Sequence, residues 1–126
     1  MSNPTPIQRV SKSLSGLLAV MVDGRDAEYY RVSAAYQTLS AAFNSPEFMR
    51  YRESFGRVTG MAENLAPGTD TFFKNFKEAL QYWDEVSYSI LNRKIVPFHA
   101  VSFLYTRINI MEMHGEDMDA IFAAQS

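Results

Sequence analysis

Between Thr71 and Leu91 the apolar residues Phe72, Phe73, Phe76, Ala79, Leu80, Trp83, Val86, Ile90 and Leu91 recur at three- and four-residue spacing. At about 100° per residue they gather into one stripe roughly 140° wide. Lys74, Lys77, Glu78, Gln81, Asp84 and Glu85 occupy the opposite face. A helix so long and so aromatic on one side cannot shield that stripe alone, so the pattern predicts the spine of a helical bundle.

The same spacing marks its neighbours. Ile7, Val10, Leu14, Leu17, Leu18 and Met21 predict a first helix that stops at Asp23-Gly24, and residues 1–6, with two prolines, read as a frayed lead-in. A second helix is expected from Asp26, an acidic residue suited to the positive helix start, with the stripe Tyr29, Val32, Tyr36, Leu39 and Phe43. Ser45-Pro46-Glu47 combines a cap, a first-turn proline and a favourable charge. It opens a third helix carrying Phe48, Tyr51, Phe55 and Val58, with Glu53 and Arg57 spaced for an i,i+4 pair.

Gly60 to Thr69 is the longest expected connection, and Thr69 or Asp70 is placed to cap the helix that follows. Asn92-Arg93-Lys94 ends that helix. Val96-Pro97 opens a fifth helix running to about Met113, His114-Gly115 closes it, and Met118–Ala124 forms a short last helix. No strand pattern of comparable strength, repeat or long linker interrupts the series. The predicted fold class is all-α: a single compact bundle of about five helices plus a short C-terminal helix, one domain over residues 1–126.

Composition then narrows the function. With 47% hydrophobic residues the 126-residue chain has material for one core, and its net charge of −2 lacks the basic excess of a general nucleic-acid binder. Residues 1–60 hold seven basic against five acidic side chains and residues 61–126 five against nine, a step that a solvated surface accounts for. Cysteine is absent, which removes disulfides, thiolate nucleophiles and cysteine metal sites, and fits a cytoplasmic protein. The longest apolar run, Leu17–Val22, is far short of the ~20 residues that span a bilayer.

Chemistry-bearing patterns are few. His99 and His114 stand more than four turns apart on one helix and cannot share a metal within one chain, so no metal or other cofactor is expected. Glu116, Asp117 and Asp119 lack the order of a calcium loop and suit a helix start instead. No phosphate loop, nucleophile elbow or zinc-helix motif occurs, and no enzyme activity is expected. Arg50, Arg52 and Arg57 form the most basic stretch, read as a solvated flank with Arg52 laid over the core. Arg9 and Lys12 opposite the first helix's apolar stripe are too few cations for a membrane-surface helix, so a membrane partner is not expected.

The fifth helix exceeds what a simple bundle needs. Its main stripe is Phe98, Val101, Leu104, Tyr105, Ile108 and Met111, yet Phe103 and Ile110, seven apart, lie on a second, nearly opposite face. A helix apolar on two sides is either central in its bundle or lies between the bundle and a partner. His99, Thr106 and Arg107 flank that second face as a polar rim. Tyr30, Tyr82 and Tyr88, off the main stripes, add aromatic surface of the type that interfaces use. The expected function is a non-enzymatic helical protein-interaction module (adaptor, inhibitor or assembly factor) binding a protein partner or a second copy through Phe103, Ile110, His99 and Arg107. The alternative is a small-molecule-binding bundle whose internal pocket is lined by Trp83, Tyr105 and Phe76.

Overall fold

A computed structural model describes residues 5–58 and 69–115, the side chains of 54–58 and 69–70 excepted. Among these residues the chain forms five helices: α1 (Pro6–Val20), α2 (Tyr29–Phe43), α3 (Pro46–Val58), α4 (Thr69–Leu91) and α5 (Phe98–Met113). The all-α bundle expected from the pattern is what the chain adopts. The expected connection after Gly60, the cap of α4, the Glu53–Arg57 pair and the short helix at Met118–Ala124 lie outside the described residues or side chains.

Local chemistry sets most helix ends. Thr5 and Pro6, expected to fray, instead start α1. The Thr5 hydroxyl accepts from the Gln8 amide at 3.1 Å while the Gln8 side chain accepts from the Thr5 amide at 2.9 Å, a reciprocal cap that satisfies two otherwise orphaned donors. Ser45 caps α3 as its sequence suggests, accepting from the Phe48 amide at 3.2 Å. α4 closes with paired bonds, Arg93 N–H to the Ile90 carbonyl at 3.2 Å and Lys94 N–H to the Ser89 carbonyl at 2.8 Å. This closure needs a left-handed residue, and Arg93 supplies it at φ 53° where glycine is usual; its guanidinium lies 5.7 Å from the Tyr29 ring centre.

Asp26 departs from expectation. It does not start α2, which begins at Tyr29. Its carboxylate instead accepts from the Phe98 amide at 2.7 Å and so caps the distant α5. Ala27 beside it pairs with Val96 through two backbone bonds of 3.1 and 2.7 Å, holding the chain extended until Glu28. The connection before α2 and the one before α5 are therefore tied together at one end of the bundle. Gly24, at φ 68°, sits under the Phe98 ring, where a Cβ would come within 3.4 Å of ring carbons.

α5 packs against both α4 and α1, α1 also against α2, and α3 lies across α1 and α2. Trp83 stacks on Phe43 at 4.3 Å and on Tyr36 at 5.5 Å; Phe48 bridges Phe43 at 4.8 Å to Phe76 at 6.0 Å. This aromatic cluster joins α2, α3 and α4, and each fully buried ring contributes on the order of 1.5–3 kcal/mol. Two hydrogen bonds fix the rotation of the outer pairs: Tyr36 donates to Ser87 at 3.0 Å and Ser11 to Asn109 at 2.8 Å. The buried polar groups Asn75 and Ser89 donate back to their own helix, to the carbonyls of Thr71 and Glu85.

Leu91, counted with the apolar stripe of α4, is 77% exposed. It stands in the last turn of α4, next to the closure at Arg93 and Lys94.

Candidate functional site

The main stripe of α5 turns inward as its spacing requires. Val101, Leu104, Ile108 and Met111 are fully buried, and Phe98 and Tyr105 pack partly buried against them. The second face is neither core nor bare surface. It runs along the outer seam between α5 and the antiparallel α4, and residues of the two helices meet there at nearly constant register.

At one end His99 Nε2 lies 3.2 Å from the Glu85 carboxylate. Next, Phe103 contacts Tyr82, ring centres 5.4 Å apart. One turn on, Arg107 donates to Glu78 at 2.5 Å. Beyond that pair Ile110, half-buried, forms part of a recess of about 490 Å3 shared with Thr71, Lys74, Asn75, Glu78 and Arg107. All four residues singled out on α5 therefore lie along this seam.

Phe103 stands out. It is 43% exposed, yet its ring has three neighbours, Tyr82 with centres 5.4 Å apart, His99 at 6.0 Å and the Arg107 guanidinium at 6.0 Å. An aromatic side chain fixed before contact loses little rotamer freedom on binding, which favours an interface anchor. Arg107, only a quarter exposed, presents its remaining donors beside that ring. Thr106 faces outward between Phe103 and Ile110 with its hydroxyl satisfied by the Ser102 carbonyl.

The tyrosines off the main stripes divide. Tyr82 belongs to the seam, whereas Tyr30 and Tyr88 are 66% and 57% exposed. The Tyr30 hydroxyl hydrogen-bonds Glu28, which raises its pKa above the ordinary phenol value. Sequence spacing did not single out Val22 and Ile95, both more than half exposed in the tied connections. Residues outside regular helix carry no periodic signal, so nothing in the spacing marks them.

Trp83 and Phe76, offered as pocket residues, are packed against other rings in the aromatic core. A groove of about 730 Å3 lies elsewhere, between α1 and α2, flanked by Arg9, Lys12 and Glu47 and floored by Gly16, Ala35 and Ala42. Arg52 lies over the Phe43 ring at 5.2 Å and donates to Asn44 at 2.8 Å, so it covers the core as expected. Among the described residues no cluster of three metal-ligating side chains occurs, and no helix is long and apolar enough to cross a membrane.

No protein-family model matches the chain, and no curated protein or solved structure is similar to it. Its function must be argued from its own residues.

Proposed function

We propose that the chain is a non-enzymatic helical interaction module, acting in the cytoplasm as an adaptor, inhibitor or assembly factor through the outer face of α5. The observation that carries this proposal is the half-exposed Phe103 ring, flanked by Tyr82, His99 and Arg107, beside a recess. A large apolar anchor, a neighbouring arginine and a concave surface are the parts from which interface hot spots are built. The Arg107–Glu78 pair and the His99–Glu85 contact orient the rim around Phe103.

Phe103→Glu tests it. The variant is expected to keep the helical circular-dichroism spectrum of the parent while losing roughly thirtyfold or more in affinity for the protein bound by the wild-type chain. Unchanged affinity would remove α5 from the contact. A small-molecule role rests on a separate observation, the α1–α2 groove, whose volume is in the range of ligand sites. Native mass spectrometry of protein from its source distinguishes the two: a retained low-mass ligand favours the groove, a protein adduct the α5 face.

A further inference from the structure

The α4–α5 seam carries a projection and a recess on the same face, and this limits what can fit it. Phe103 projects, and the recess at Ile110 lies seven residues further along α5, about 10.5 Å away. A two-fold axis lying in the plane between two facing copies, perpendicular to α5 and level with the point between Thr106 and Arg107, exchanges these two features: each Phe103 is carried to the recess of the other molecule. The charges on α4 obey the same rotation. Glu78 lies level with Arg107, so the axis passes α4 close to Glu78. Lys74 lies just over one turn to one side of that point and Glu85, which also contacts His99 at 3.2 Å, about two turns to the other, and both are exposed. Rotation brings Lys74 of each copy to within about one turn of Glu85 of the other. The two Glu78 carboxylates, which approach each other near the axis, are each already neutralised by Arg107 of the same chain.

We propose that the partner is a second copy of this chain, docked face to face through α4 and α5. Each Phe103 is laid against Ile110 and the aliphatic stems of Lys74 and Arg107 at the mouth of the other copy's recess, and Lys74 pairs with Glu85 across the interface. This deepens the interaction-face proposal and rests on it. The contact is isologous, so it closes at two molecules and leaves no sticky end. The charge complementarity between Lys74 and Glu85 runs about the same axis as the projection and recess, so one surface serves both copies.

The test uses the intact chain and sedimentation over a concentration series. Wild type is expected to reach twice the monomer mass. Lys74→Glu and Glu85→Lys alone are each expected to raise the dimer dissociation constant by about tenfold or more, because like charges then meet twice per interface. Mixing the two variants, or combining them in one chain, is expected to restore the dimer. Since the chain has no cysteine, Thr106→Cys adds a clean geometric check. Under mild oxidation it should give a covalent dimer, which requires the two Cα atoms to come within about 7 Å. A dimer indifferent to both charge reversals, or one in which Thr106→Cys never cross-links, overturns the proposed geometry. A wild-type chain monomeric throughout overturns the second-copy inference and leaves the α5 face to be judged by its own Phe103→Glu binding measurement. A dimer unaffected by Phe103→Glu likewise overturns the second-copy inference, and the α5 face is again judged by that binding measurement.

Discussion

Tyr82 and Trp83 are adjacent in the chain and live in different worlds. Trp83 points into the bundle, 5% exposed, and is stacked between Phe43 and Tyr36. Tyr82 points along the outer seam, half-buried, with its ring against Phe103. The inner cluster is dry, shared by three helices and made of ring on ring. The seam is wet, shared by two helices, and alternates rings with the pairs His99–Glu85 and Arg107–Glu78. Both are aromatic surfaces held in fixed geometry, yet only the first has already exhausted its apolar area. Apolar area remains exposed on the second, where Phe103 is 43% open to solvent, and this is the area that the proposed contact would cover.

Four substitutions test that contrast, the largest effect first. Trp83→Ala removes the shared ring of the inner cluster and should cost about 3–5 kcal/mol in chemical denaturation followed by circular dichroism. Phe103→Ala removes a half-wet ring and leaves no sealed cavity, so the same measurement should register only about 1–1.5 kcal/mol. Equal losses at the two positions would show that the seam is core and would end the distinction drawn here.

Asp26→Ala leaves both aromatic regions intact but uncaps α5 from a distance, with an expected loss of about 1 kcal/mol. If that loss is accompanied by weakened partner binding, the tied connections also orient the α5 face. Gly16→Ala should go the other way. An added Cβ there meets nothing within 4 Å, so the gain in helix propensity, about 0.5–1 kcal/mol, comes without a clash. A gain in thermal stability with unchanged Phe103-dependent binding would separate the α1–α2 groove from the seam.

Much of the inner region was legible before any coordinates. Phe76, Trp83 and Val86, like Leu14, Leu17 and Leu39, sit where their three- and four-residue spacing places them, in the core. Ser45 and Pro46 announced α3 correctly. The cap on α1 was also written in the chain, as Thr5 three residues before Gln8, but the two nearby prolines masked it. Leu91 shows the limit of periodicity, which counts a residue as inward even where the last turn leaves it exposed.

For the five helices of the described residues, the chain's own pattern determined that each forms and where its main apolar stripe lies, because water rejects an apolar stripe whatever eventually covers it. Helix order, rotation and register were decided only by the tertiary structure. Whether Phe103 meets Tyr82, and whether Asp26 caps its own helix or one 72 residues away, depends on which connections tie together and how the antiparallel α4 and α5 slide past each other. Those are long-range choices made by many packed contacts at once, and no local spacing records them.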